Sequence, residues 1–299
     1  MIPAGCSMNH ASSPPVNSNR IASKTMMLRS TRSVWTRMLR GYFAGRAFGI
    51  SERLSGLPGW TLSWQVMQVL LVHSPLLARS SWGGVPARLA EFGYAVAVAD
   101  LRPVLDSGPP FYERLFQSIA ELADADETVA VVGHSRAGPL LPGVLAKIGA
   151  NHATAVFLDA RLPHGGRTWL ETLAADRRAA LLASVDNGFL PPWHRWFPPE
   201  AIAELLPDKA VRQRFRDETR GLPAGLLSEP MPRLAWGDRV GQVYVQLSAA
   251  YAAIADQAQA AGWPVARYAM DHLAPLTRSR EVAGAIADSL TAAGIPGHR

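Results

Sequence analysis

The 299-residue chain has a single cysteine, Cys6, so it can form no internal disulfide. A disulfide-held scaffold is excluded, and a reducing, cytoplasmic location is the simplest reading. No run of 18 apolar residues occurs, so nothing reads as an integral membrane segment. Charge is thin: Asp, Glu, Lys and Arg make up 18% of the chain, against about a quarter in an ordinary globular protein. Also missing are a phosphate-binding glycine loop ending in Gly-Lys-Ser/Thr, a dinucleotide glycine fingerprint, His-Glu-x-x-His and paired-cysteine metal motifs. The sequence therefore gives no support for a cofactor or a metal. There is no repeat of fixed period.

The net charge of +6 is unevenly placed. Residues 1–66 carry eight basic residues against Glu52 alone, which leaves 22 basic and 23 acidic residues in the remainder. The body is near neutral, without the basic stripe of a nucleic-acid-binding surface. Residues 1–57 read as a basic, partly disordered extension. Its first 25 residues are rich in Ser, Asn and Pro and lack the apolar core of a secretory signal. Cys6 has no hydrophobic run before it, which disfavours a lipoprotein site. Trp35, Met38, Leu39, Tyr42 and Phe43 lie among arginines. They fit a short helix, a translation start at Met26, Met27 or Met67, or a basic amphipathic helix on a membrane surface.

Beyond Trp60 the apolar content, 48% over the whole chain, gathers into short runs. Gln65–Val72, Tyr94–Ala99, Thr128–Val132 and Ala153–Leu158 read as strands in short, nearly continuous apolar runs, the mark of strands buried on both faces. Helical patterns separate them at 82–92, 109–123 and 139–148. Strands alternating with helices imply crossover units and a mostly parallel, doubly wound α/β sheet. The rhythm breaks over 163–240, where prolines and helical pieces at 199–206 and 208–216 appear without a strand pattern. It resumes with Gln242–Leu247, a helix at 249–261, Pro264–Tyr268 and a helix at 280–293. The predicted organisation is a core of 58–165 and 241–299, with a helical cap, 166–240, inserted into it.

Chemistry in an open α/β sheet sits at the carboxyl ends of its strands. Ser135 lies there, in Val132-Gly133-His134-Ser135-Arg136-Ala137-Gly138. Gly133, Ala137 and Gly138 are small, as a sharp strand-to-helix turn requires. The segment matches the nucleophile elbow, Gly-x-Ser-x-Gly, with Ala137 in the fifth position. Alternatively, Ser135 merely caps the helix.

On these residues the chain resembles the α/β-hydrolase superfamily over roughly 60–299, nearest to small esterases and plant-type hydroxynitrile lyases. Related haloalkane dehalogenases use Asp and dienelactone hydrolases Cys, so Ser135 argues against both chemistries. The resemblance implies a general-base His after the last strand, and His272 stands there. His10 and His298 fall in tails, His152 in a turn, and His164 and His194 in or beside the cap. His73 and His134 flank the site and resemble residues that brace loops. For the acid, the commonest family position follows the strand Gln242–Leu247, but Ser248-Ala249-Ala250-Tyr251 offers no carboxylate. Asp159, ending the strand after the nucleophile, is the favoured candidate. Asp256 is the next, and no functional acid is a third reading.

The resemblance also implies an oxyanion hole made by the Arg136 N–H and one N–H from the loop after the first core strand. That loop reads His73-Ser74-Pro75-Leu76-Leu77, and the expected donor falls on Pro75, which has no N–H. Either the Leu76 N–H shifts in, or the Ser74 hydroxyl substitutes, or the reaction does not need a full oxyanion hole. Trp169, Phe189, Trp193, Trp196 and Phe197 in the cap suit an apolar substrate group as well as simple packing, with Trp193 taken as a substrate contact. Arg136, Arg161, Arg167 and Arg195 could meet an anionic group, although surface solvation is the plainer role for each. The resulting expectation is a cofactor-free serine hydrolase cleaving an ester, lactone or thioester of a small molecule. Nucleic acid and an integral membrane segment are excluded, and homodimer formation is left open. A lyase or cyclase on the same fold, or a silent binding protein, is the alternative.

Overall fold

A computed structural model describes residues 67–124, 128–149, 153–237 and 240–293. The predicted basic extension, 1–57, lies outside them. In chain order the first half comprises β1 (Gln68–Val72), α1 (Val85–Glu91), β2 (Ala95–Val98), α2 (Arg102–Asp106), α3 (Phe111–Ala120), β3 (Val129–His134), α4 (Leu141–Ile148) and β4 (Ala153–Leu158). Then come α5 (Ala175–Ala183), β5 (Phe189–Leu190), α6 (Pro199–Leu205), α7 (Lys209–Glu218), β6 (Leu222–Pro223) and α8 (Gly225–Ser228). The chain continues through β7 (Val240–Gln246), α9 (Ala252–Ala260), β8 (Val265–Arg267), α10 (Ala274–Thr277) and α11 (Ser279–Ala292).

Six strands form one sheet in the order β2-β1-β3-β4-β7-β8, and every neighbouring pair is parallel. The side-chain period of two explains why the runs are largely apolar and do not alternate. Leu70, Val72, Val131, Ala155, Phe157 and Tyr244 pack into one core, whereas Val69, Leu71, Val132, Val156, Leu158 and Val245 pack into the other. Side chains of α3, α4 and α9 cover the first face, and those of α1 and α11 cover the second. The order of connection reverses between β1 and β3, which opens a crevice at their carboxyl ends. The loop starting at His73 and the turn starting at Ser135 both issue there.

Among the described residues between β4 and β7 no strand joins the main sheet. The expectation of no strand in this stretch needs one correction: β5 and β6 form a two-residue antiparallel pair, Phe189 opposite Pro223 and Leu190 opposite Leu222. Two residues cannot display an alternation, and a proline within a run reads against a strand. Within the insertion, Asp208 caps α7 by accepting from the Ala210 and Val211 N–H groups at 2.8 and 3.0 Å. A small core of Leu77, Ile202, Leu206, Phe215 and Leu273 ties α6 and α7 to the loops that follow β1 and β8.

The α3–α4 contact is close enough to forbid a side chain. A Cβ on Gly143 would lie 2.4 Å from the Phe116 ring, and that ring is itself buried in the core. Gly143→Ala should therefore cost about 1–3 kcal/mol through overpacking, seen as a lower midpoint in urea unfolding; an unchanged midpoint would contradict the packing described.

Candidate active site

Ser135 opens a 3-10 turn, Ser135–Leu140, directly after β3. Its φ is +59°, a left-handed conformation that a residue with a Cβ adopts only under surrounding constraint. The constraint is crowding on both sides. A Cβ on Gly133 would meet Leu141 at 3.0 Å and the Ala137 backbone at 3.2 Å. One on Gly138 would lie 2.1 Å from the Arg161 carbonyl oxygen. The glycine that the turn cannot replace is thus Gly138, one residue past the motif's fifth position, while the buried Ala137 methyl is accommodated. The Arg161 N–H donates to the Ser135 carbonyl at 2.9 Å, fastening the turn to the chain beyond β4.

Three predicted residues come together here. His272 Nε2 is 3.0 Å from Ser135 Oγ, and its Nδ1 is 2.7 Å from Asp159 Oδ2. An ionised carboxylate only accepts, so Nδ1 carries the proton and Nε2 is left as the acceptor for the serine hydroxyl. Asp159 has no solvent exposure and a φ of +45°, a region that Asp tolerates better than most residues. Its Oδ1 accepts from the Leu247 and Ser248 N–H groups at 2.9 and 3.0 Å. Its Oδ2 accepts from Ser248 Oγ at 2.7 Å besides His272. Burial alone would raise the carboxyl pKa, but the bond and charge of His272 and the Ser248 donors outweigh it and hold the group below its ordinary value. Asp256 stands elsewhere, on the surface, paired with Arg267 at 2.7 Å. Asp271 accepts from the Leu273 N–H at 2.8 Å.

His73 and His134 brace the site from behind. His73 donates from Nδ1 to the Ser74 carbonyl at 2.8 Å and accepts the Leu101 N–H at Nε2, 3.2 Å away. With both nitrogens engaged by backbone, His73 is placed to hold its loop, the role its resemblance implied. Desolvation pulls its pKa down to about 4. His134 donates from Nε2 to the His272 carbonyl at 3.0 Å, its ring centroid 4.7 Å from that of His272. Burial, helped by His272, pulls it down to about 3.

In the loop after β1, Ser74 is fully buried, and its Oγ accepts the Leu76 N–H at 3.2 Å. The two candidate replacements for a Pro75 donor are therefore bonded to each other. The Arg136 N–H lies in the first turn of the 3-10 segment, where no intrahelical acceptor exists. Trp193 of the insertion has its ring centroid 6.3 Å from that of His272 and packs edge-on against Phe197 and Phe215.

Two participants were missed in the sequence. Ser248 supplies Asp159 with two donors, and the Tyr251 ring stacks on His272 with centroids 4.8 Å apart and planes 7° apart. The Tyr251 hydroxyl is 3.4 Å from Ser135 Oγ. Both belong to the segment Ser248–Tyr251, which has no carboxylate. Among the described residues no cluster of three or more His, Cys, Asp or Glu side chains is arranged to hold a metal, and no helix is long and apolar enough to cross a membrane.

No protein-family model matches the chain, and no curated protein matches it. Solved structures do resemble it. An extracellular α/β-hydrolase from a Paenibacillus species, described as sharing structural and functional homology with tobacco salicylic acid binding protein 2, aligns at TM-score 0.57 and 15% identity, over 75% of this chain and 98% of that one. A pyrethroid hydrolase from Sphingobium faniae JZ-2 aligns at TM-score 0.56 and 19% identity, over 77% and 99%. Tomato methylketone synthase I, in complex with 2-tridecanone, aligns at TM-score 0.53 and 16% identity, over 77% and 98%. At such identities the likeness is one of fold.

Two outcomes follow from this geometry. Asp159→Asn should lower kcat of whatever reaction the site performs by about 10³–10⁴-fold, since an amide favours the wrong imidazole tautomer, while Asp256→Asn should leave it within about twofold; equal effects in steady-state assays would shift the role away from Asp159. The second concerns acid stability. A histidine buried neutral, with its pKa lowered from 6.5 to about 4, contributes stability that is complete above pH 6.5 and is lost on acidification toward pH 4, where the unfolded chain binds the extra proton. Urea midpoints should fall over that window, and less steeply in His73→Asn; parallel pH profiles would contradict this.

Proposed function

We propose that this chain, which has the α/β-hydrolase fold, is a serine hydrolase that cleaves a carboxylic ester, lactone or thioester of a small, largely apolar molecule. The observation that carries the proposal is the continuous Ser135–His272–Asp159 chain, with contacts of 3.0 and 2.7 Å, ending on a strained, crowded nucleophile. Its solved neighbours include hydrolases, in keeping with this reading.

In the proposed reaction Ser135 Oγ attacks the carbonyl carbon as His272 Nε2 takes its proton. Asp159 holds the imidazole and offsets the positive charge that develops on it. The carbonyl oxygen becomes an oxyanion facing the Arg136 N–H. Pro75 cannot supply the second donor. The Leu76 N–H, held by Ser74 Oγ at a long 3.2 Å, is the backbone group that a stronger, charged acceptor can recruit. His272 then protonates the leaving group, and water, activated by the same imidazole, releases the acyl group from Ser135. A reducing, cytoplasmic setting, argued from the single cysteine, belongs to the same proposal.

One observation favours a second reading. The Tyr251 hydroxyl lies 3.4 Å from Ser135 Oγ, and with Pro75 in the oxyanion loop the constellation also suits acid–base work by Ser135, Tyr251 and His272 without an acyl intermediate, as in a lyase or cyclase. A fluorophosphonate probe separates the two. Intact-protein mass spectrometry should find one adduct, mapped to Ser135 and absent in Ser135→Ala. A well-folded protein that takes up no label at Ser135 would overturn the hydrolase reading in favour of acid–base chemistry or of a silent binding protein.

A further inference from the structure

Arg136, the residue after the nucleophile, was grouped in the sequence with arginines whose plainest role is surface solvation. Its side chain is instead largely buried, with the guanidinium carbon 3.9 Å from the centroid of the Trp169 ring. Among the described residues no Asp or Glu forms an ion pair with it. Burial, reinforced by the nearby Arg161, pulls its pKa down to about 9, so it remains a cation at neutral pH. Beside it are two further polar groups without partners: the Trp169 indole Nε1 and the His164 Nε2. Trp169 is 4% exposed and His164 8%. Both line one small cavity together with Arg136, Tyr112 and Pro75.

Three polar side chains with unmet hydrogen-bonding capacity in one pocket are unusual, because each unmade bond in a buried site costs free energy. An uncompensated buried cation adds to that cost. We propose that the Arg136 guanidinium and the Trp169 indole N–H, in the pocket they share with His164, bind a carboxylate carried by the acyl part of the substrate. This deepens the hydrolase reading and rests on it. The substrate class becomes a half-ester or half-thioester of a dicarboxylic acid: an acyl chain with an apolar middle and an acidic far end.

Three features select this ligand. The guanidinium and the indole N–H are donors with no acceptor of their own, and a carboxylate only accepts. The cavity is about 10 Å³, one water-sized volume, so it takes a single carboxylate oxygen at the end of a chain and not a bulkier phosphate. Finally, a leaving oxygen must face His272 Nε2 to be protonated. The pocket includes neither His272 nor Tyr251 but is walled by Pro75 and Arg136 on the oxyanion side, so a group held there belongs to the acyl half.

The test compares mono-4-nitrophenyl esters of glutaric, adipic and pimelic acid with uncharged 4-nitrophenyl esters of equal chain length. At least one acid should be preferred tenfold or more in kcat/KM by the wild-type enzyme. Arg136→Met should lower that acid-to-neutral ratio at least tenfold, whatever it does to the absolute rate, and Trp169→Phe should lower it less. Equal kcat/KM for acid and neutral esters at every length, with Ser135 still labelled by fluorophosphonate, overturns the carboxylate pocket and leaves the hydrolase reading standing. Absence of both turnover and labelling overturns the hydrolase reading. Binding then decides the pocket: calorimetric titration of Ser135→Ala protein with monomethyl adipate should show saturable uptake, abolished by adding Arg136→Met and not given by methyl hexanoate. No uptake of the acid overturns the pocket.

Discussion

A carboxylate removed from all solvent is tolerable only if donors replace its water, and the site is organised around the four that do so for Asp159. Three come from Leu247 and Ser248 at the end of β7, and the fourth from His272 beyond β8. Because β4, β7 and β8 are adjacent in the sheet, their carboxyl ends converge on this oxygen pair without any long excursion of the chain. The same bonds that offset the desolvation of the carboxylate also fix the His272 tautomer. Electrostatics and geometry at Ser135 thus depend on one buried group.

Around that group the backbone is packed too tightly to relax. Gly138 meets the Arg161 carbonyl, Arg161 returns a hydrogen bond to Ser135, and the left-handed Ser135 and Asp159 lie at the ends of neighbouring strands. His73 and His134, both neutral by burial, bond loop backbone, the first with both ring nitrogens and the second with Nε2, and keep the β1 and β8 loops in place. The insertion is fastened to those same two loops through Leu77 and Leu273, so its Trp193 is set beside His272.

Much of this was legible in the sequence, for definite reasons. Strands buried on both faces are apolar at most positions and do not alternate, so β1, β3, β4 and β7 were visible as runs, and β4 was read to the residue. The turn at Ser135 announces itself through small neighbours whose bulk would clash. The approach of Asp159 to His272 was anticipated as the favoured of three readings and no more, because what makes it work is Ser248, whose donors cannot be recognised before the carboxylate they serve is placed. Tyr251 was invisible for a related reason: a lone tyrosine in a loop carries no period and no spacing. The burial of Arg136 reversed its plain reading, since sequence shows the charge but not the Trp169 face beneath it. The short pair β5–β6 lacked the length to form a pattern.

The central claim is that Asp159 sets His272 so that Nε2 is free to receive the Ser135 proton. The most direct measurement is the tautomer of that ring, read from the nitrogen chemical shifts of ¹⁵N-histidine-labelled protein at neutral pH, with His272 assigned by the variant that lacks it. The account predicts a protonated Nδ1 and an unprotonated Nε2, with the preference weakened or reversed in Asp159→Asn. A wild-type ring protonated at Nε2 and bare at Nδ1 would contradict it.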